Sequence, residues 1–443
     1  FTANWNPVTE ANEYFIDVSQ NSNFSTFVNG YNNRPVGNVQ SFNVSGLSNM
    51  PNYYYRIKAG NSGRRSTNSN IIQVMLPQCP TGDVTVNTQA EADNFKILYP
   101  NCTTINGSLN IQNSTNITNL YGFSNITTIN GNINIINNNS LTDCYGLRGI
   151  KRASNIYLNQ NSQLAEVNAF DSLSIVDYIE ISNNPKLQYI SGFSKVNILY
   201  ELHILNNPLL TDINVKLQTN QLNILNIKNN DKLFFLNNMG AIKEIKVALN
   251  IEDNALLNNV NGLNLLTNSK EIKIKDNQAL TNLNGLSNVT AIDGALIIQN
   301  NDMLNDISGL RNIVYTTIKN TGLIIQDNAI LSFCNLPNFC SYLQGTGARN
   351  ISGNLSDCLT EQAVINACNA LAAPNASAAT NITASGFTAN WQASVGATKY
   401  LLDVSTSSSF GSFVTGYNNR DVGNVLNFNV TGLTTNITYY YRI

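Results

Sequence analysis

The sequence predicts a chain dominated by β structure: a right-handed solenoid of about ten coils on one parallel sheet, stapled at its ends and set between two small β-sandwiches. Three observations carry this expectation. From Leu109 to Leu331 one short phrase recurs about every 23–24 residues, a spacing typical of solenoids. Six of the seven cysteines stand at the two ends of that stretch. Residues 1–57 reappear without a gap as residues 387–443, with more than half of the aligned positions identical.

The phrase is aliphatic, any, aliphatic, two polar, Asn, two any, Leu, and it is clearest at Ile133 to Leu141. Its opening positions alternate inward and outward, the period of a strand with one buried face. One inward column reads Leu109, Ile133, Ile156, Ile179, Leu202, Leu225, Leu249, Ile272, Leu296, Leu323. A second follows two residues later, from Ile111 to Ile325, and a third apolar column runs from Ile117 to Leu331. Between them stands a column of amides: Asn138, Asn161, Asn184, Asn207, Asn230, Asn254, Asn277, Asn301 and Asn328, with Ser114 departing. The chain bends inward there and leaves backbone groups unpaired. A stacked Asn ladder donates to one coil and accepts from the next, which satisfies them. Gly-Leu or Gly-Phe pairs (Gly122-Phe123, Gly146-Leu147, Gly285-Leu286 among them) then return an apolar side chain to the core from a tight bend.

The ends of such an array must be sealed. Cys79 and Cys102 bracket the N-terminal end, and Cys334, Cys340, Cys358 and Cys368 crowd into the C-terminal end. This clustering predicts cap disulfides in an oxidising compartment, with the pairing of the last four open. Zinc is disfavoured, since there is no C-x-x-C pair and the one histidine lies elsewhere. Cys144 falls in an apolar core column and reads as a buried free thiol. Thr88 with Glu91 three residues on has capping-box spacing, so a helix is expected to cover the first coil. Phe339–Leu343 and Thr360–Ala372 are expected to be helical at the other end.

The domain boundaries that follow are 1–77, 78–372 and 373–443. Copy one of the end repeat lacks the first strand that Asn381 to Ala384 supplies for copy two. Copy two lacks the last strand that Asn70 to Val74 supplies for copy one. The expectation is a window on a longer protein, a tandem array of sandwich–solenoid units. The short linker Ala372-Ala373-Pro374-Asn375 predicts a semi-rigid rod.

Trp5 and Trp391, the pairs Gly46-Leu47 with Tyr53 and Gly432-Leu433 with Tyr439, and the phrase Gly-Tyr-Asn-Asn-Arg at Gly30 and Gly416 resemble fibronectin type III domains abundant in Bacteroidota surface proteins. The resemblance implies a Trp between the sheets and a tyrosine corner. Residues 78–372, through the flanking motifs Gln89-Ala90-Glu91, Tyr99-Pro100-Asn101-Cys102, Ile105-Asn106-Gly107 and the C-terminal cysteines, resemble the leucine-rich-repeat-like relatives of the receptor L domain. That resemblance implies export by the type IX system and a place on the bacterial outer cell surface.

Charged residues are 12% and the formal net charge is −2, so nothing favours nucleic acid or an acidic membrane. No stretch of about 18 apolar residues exists to insert into a membrane. No phosphate loop, nucleophile elbow or paired-histidine site appears, and no cofactor or metal is expected. Asp253, Asp276 and Asp327 share a column, but Lys273 and Lys275 alongside make cross-coil charge pairing a better reading than calcium. The outward sheet face is the candidate ligand surface. Tyr157 and Tyr178 with nearby amides suit a sugar; Glu180 and His203 stand beside them; Ile297 and Ile324 form an outward apolar pair for a partner or a neighbouring domain. The expected function is a non-enzymatic, adhesin-like stalk unit whose partners are neighbouring repeats of the same long chain and a glycan or surface ligand. The alternatives are a recognition module for a carbohydrate or protein, and a spacer of an extracellular enzyme.

Overall fold

A computed structural model of the 443-residue chain describes every residue except 48, 49, 51, 77, 78, 320, 321, 395 and 396. The boundary expected at 77/78 lies outside the described residues. The chain separates into two compact units, Phe1–Val364 and Ile365–Ile443.

The repeats build one fourteen-stranded sheet in which every pairing is parallel. Its main path runs from Val84–Val86 through Leu109–Gln112, Ile133–Ile136, Asn155–Asn159, Tyr178–Ser182, Glu201–Leu205, Gln221–Lys228, Glu244–Glu252, Ile272–Lys275, Leu296–Gln299 and Leu323–Gln326 to Arg349–Ser352. The first inward column is the observed register: Leu109 pairs with Ile133, Ile133 with Ile156, and so on to Leu296 with Leu323. The path holds twelve strands where the phrase predicts about ten coils. The two additions, Val84–Val86 and Arg349–Ser352, belong to the ends of the array and continue its register.

Both inward columns and the third apolar column are buried to 1% exposure or less. Each such side chain contributes about 1.5–3 kcal/mol on burial, so packing between coils, repeated along the array, holds the sheet together. The amide column is equally buried and forms a continuous hydrogen-bonded ladder. Asn207 is representative. Its Nδ2 donates to the Ile181 carbonyl of the preceding coil at 3.0 Å and to Asn230 Oδ1 of the next at 3.3 Å. Its own backbone N–H also donates to Asn230 Oδ1, at 3.2 Å. The ladder runs one rung beyond the predicted set: Asn354 accepts from the backbone N–H of Asn328 at 2.9 Å and donates to the Ile325 carbonyl at 2.8 Å.

The residue before each rung is left-handed. Asn113, Asn137, Gln160, Asn183, Asn206, Asn229, Asp253, Asp276, Asn300 and Asp327 have φ between 52° and 60°. Asn and Asp tolerate that region because a short polar side chain bonds locally. The shared column of Asp253, Asp276 and Asp327 is therefore a backbone requirement first. Cross-coil charge pairing lies beside it on Glu252, which Lys228 and Lys273 reach at 2.9 and 3.1 Å, whereas Lys275 and Asp276, 3.3 Å apart, are neighbours within one coil.

Two kinds of corner follow the ladder. Five coils turn through short 3₁₀ segments: Tyr121–Phe123, Tyr145–Leu147, Asn261–Leu263, Asn284–Leu286 and Ser308–Leu310. At Gly146 a Cβ would stand 2.0 Å from the Leu120 carbonyl oxygen of the coil before, so only glycine allows that approach. The middle coils use a second parallel sheet instead: Glu166–Val167, Tyr189–Ser191, Asp212–Asn214 and Phe235–Asn237.

Helix α1 (Gln89–Leu98) is capped by the predicted box of Thr88 and Glu91, and Phe95 packs 4.8 Å from Phe123 of the first coil. Cys79 bonds Cys102, and Cys334 bonds Cys358. Cys340 and Cys368 are disulfide-bonded as well. Cys144 is free and buried, and burial pushes its thiol up. At the C-terminal end α2 spans Pro337–Leu343 and α3 spans Glu361–Asn369, shorter than the Thr360–Ala372 expected.

The described residues among 1–76 form two antiparallel sheets around a shared core of Ala3, Tyr14, Ile16, Val18, Tyr53 and Ile57 among others. Asp17, 3% exposed, is held by Arg56 Nε at 2.8 Å and by the Asn33 N–H at 2.6 Å. In the second unit, antiparallel sheets again enclose a core of Ala389, Trp391, Tyr400, Leu402 and Val404. Tyr439 Oη accepts from the Thr434 N–H at 2.9 Å, and Asp403 repeats the Asp17 network with Arg442 and Asn419.

Candidate ligand-binding face

The outward face of the sheet is set by strand alternation. Asn155–Asn159 turns Tyr157 outward; Tyr178–Ser182 turns out Tyr178 and Glu180; Glu201–Leu205 turns out Glu201 and His203. Four of the six expected ligand-face residues come together here. Tyr157 and Tyr178 have ring centroids 5.4 Å apart and tilted by 38°, and Tyr178 stacks on His203 at 4.9 Å and 29°. Tyr178 lies between rings from the coil before and the coil after, so both its faces are covered.

Glu180 is the polar anchor of the cluster. It accepts from Tyr178 Oη at 2.9 Å, Ser182 Oγ at 2.9 Å and Asn159 Nδ2 at 3.1 Å. Burial first, then the bond and charge of Glu180, push the Tyr178 phenol well above its usual range. Tyr178 therefore acts as a neutral hydrogen-bond donor. His203 lies in register with Glu180 but bonds Glu201, with Nε2 3.0 Å from Glu201 Oε2. On its other side Asn226 Nδ2 donates to Nδ1 at 2.8 Å, and Asn250 donates to Asn226 Oδ1 at 2.6 Å. The pattern fits an imidazole carrying its hydrogen on Nε2.

Further along, Glu252 bridges Lys228 at 2.9 Å and Lys273 at 3.1 Å. Burial alone raises its carboxyl, but the two lysines together outweigh that and hold it below its ordinary value. Asp253 beside it is raised, by burial first and then by Asp276 and Glu252. Among the described residues no group of three or more His, Cys, Asp or Glu is placed to hold a metal ion. Ile297 and Ile324 lie apart from the aromatic cluster, as cross-strand neighbours with Lys273 on one side and Asn350 on the other.

Two functional positions escaped the sequence reading. Glu201 lies one position before the repeated phrase, because the strands here begin earlier than the phrase does. Asn354 was detectable: Ile351 and Asn354 keep the aliphatic-to-Asn spacing of the other coils. The lengthened last coil, which contains α2, hid the recurrence.

No curated protein matches the chain. Residues 101–151, which carry Cys102 and the strands Leu109–Gln112 and Ile133–Ile136, match the family model described as Receptor L domain, and the fold they begin is L-domain-like.

Proposed function

We propose that the chain is a non-enzymatic repeat unit of a large bacterial cell-surface protein, acting as a semi-rigid stalk that presents its sheet face for adhesion. The observation that carries this reading is the buried amide ladder from Asn138 to Asn354, with a disulfide at each end of the array. Such a construction spends its polar groups on fixing coil against coil, which suits a load-bearing element. The disulfides favour an oxidising, extracellular setting. On this reading the flanking sandwiches are fibronectin type III domains of the Bacteroidota kind, export is by the type IX system, and the neighbours are further repeats of the same chain. Repetition then adds length and multivalency without new contacts.

The outward face supports a second reading, a carbohydrate- or protein-recognition module, because Tyr157, Tyr178 and His203 gather where an ordinary solvated face would scatter them. A spacer for an enzyme domain is the third reading, and it has no observation of its own. The test is attachment of beads carrying the 443-residue chain to glycan-coated, host-cell and abiotic surfaces. A variant with Tyr157→Ser, Ile297→Ser and Ile324→Ser is run beside it. Loss of attachment in the variant is expected. Attachment that is absent, or unchanged in the variant, overturns the sheet face as the adhesive surface.

A further inference from the structure

The cluster on the sheet face is a stack with one open end. Tyr178 has both faces covered, and His203 is held in its plane by Glu201 and Asn226. Tyr157 is the terminal ring, tilted by 38° against Tyr178 at 5.4 Å, and no other aromatic ring among the described residues lies against it. On its other side the register places Asn134 and then Asn110, two short side chains joined by a bond of 2.7 Å from Asn134 Nδ2 to Asn110 Oδ1. A tall aromatic therefore stands at the edge of a low amide shelf. Neighbouring strands are about 4.8 Å apart, so the shelf is about 10 Å across.

We infer that this step is a subsite for one pyranose ring of a neutral glycan, seated on the Asn134–Asn110 shelf with its C–H face against the free face of Tyr157. The inference deepens the adhesive reading of the face and rests on it. Two observations select the ligand class. The shelf columns on these coils hold Asn110, Asn134, Gln112 and Ile136, with no charged side chain, so a charged ligand finds no counter-charge there. Glu180, in register with Tyr157, already accepts three hydrogen bonds. Hydroxyl groups both donate and accept, which suits a row of amides. Tyr178, Glu180 and His203 are then positioning residues that hold Tyr157 upright, and they do not touch the sugar.

The experiment is saturation-transfer NMR and calorimetry on the full 443-residue chain. The probes are cellotetraose, laminaritetraose, β1,4-galactotetraose, sialyllactose and adenosine. The expected result is transfer to the axial ring protons of at least one neutral tetraose and none to adenosine. Tyr157→Ala is expected to weaken binding by about tenfold or more, and Tyr157→Phe to keep it within about twofold. No transfer from any tetraose, binding unaltered in Tyr157→Ala, or preference for sialyllactose or adenosine overturns the subsite. If the tetraoses fail while bead attachment still depends on the sheet face, the glycan assignment alone is wrong. If attachment is also independent of that face, the adhesive reading falls with it.

Discussion

Replacing Asn230 with alanine tests whether the amide ladder holds the coils together. The Asn230 side chain donates to the Ile204 carbonyl at 3.0 Å, the Lys228 carbonyl at 2.9 Å and Asn254 Oδ1 at 3.2 Å. Its Oδ1 accepts from the backbone N–H of Asn207 at 3.2 Å and from Asn207 Nδ2 at 3.3 Å. Not all five contacts are lost at full value in Asn230→Ala. Lys228 O keeps a bond from the Asn206 N–H, and Asn207 Nδ2 keeps its bonds to Ile181 and Leu205. The Asn207 backbone N–H is different, because it is buried and loses its acceptor. One such orphan costs about 1–3 kcal/mol, and the remaining bonds bring the total to about 3–5 kcal/mol. A single melting temperature is a poor readout for a chain of several units, so hydrogen exchange resolved by peptide is the assay. Faster exchange is expected across the strands Glu201–Leu205 and Gln221–Lys228, and little change in residues 1–76. The exposed neighbour Asn237→Ala is the control, expected within about 0.5 kcal/mol of the parent. Equal effects of Asn230→Ala and Asn237→Ala would refute the ladder argument.

Three further outcomes are expected. Gln160 holds a left-handed conformation at φ 60° without the short polar side chain that favours it, so Gln160→Gly is expected to stabilise its turn by about 0.5–1 kcal/mol in denaturant titration. Glu252 sits below its ordinary carboxyl value of 4.5, so its contribution is fully present above that pH and is lost as the pH falls through its lowered value. Protection of the Glu244–Glu252 strand in the parent and in Glu252→Gln is expected to differ above that range and to converge in acid; a constant difference across pH contradicts the assignment. Asp17→Ala leaves the Arg56 guanidinium without its partner on a buried edge of the first sandwich, at a cost of about 3–5 kcal/mol, seen as loss of exchange protection confined to residues 1–76.

The solenoid was legible because its physics is periodic. A strand with one buried face leaves an aliphatic column, and a stacked inward turn leaves an Asn column, so the register of Leu109 through Leu323 could be read directly. What escaped lies where periodicity breaks. Arg349–Ser352 and Asn354 follow a helix inserted in the last coil, and Val84–Val86 precedes the first full phrase. The Asp253, Asp276 and Asp327 column was visible but its cause was not, since lysines stand alongside in the sequence while what the three share is a left-handed turn. On the sheet face the gathering of Tyr157, Tyr178, Glu180 and His203 followed from the register. Which ring keeps a free face did not, because that depends on diagonal stacking between coils rather than on position along the chain.

The most direct test of the account is hydroxyl-radical footprinting of the full chain, free and bound to the surface it adheres to best. The account predicts protection of Tyr157, Ile297 and Ile324 on the sheet face. It predicts unchanged labelling of Tyr121, Tyr145 and Phe235 at the exposed corners. Protection at the corners with the sheet face still open would contradict it.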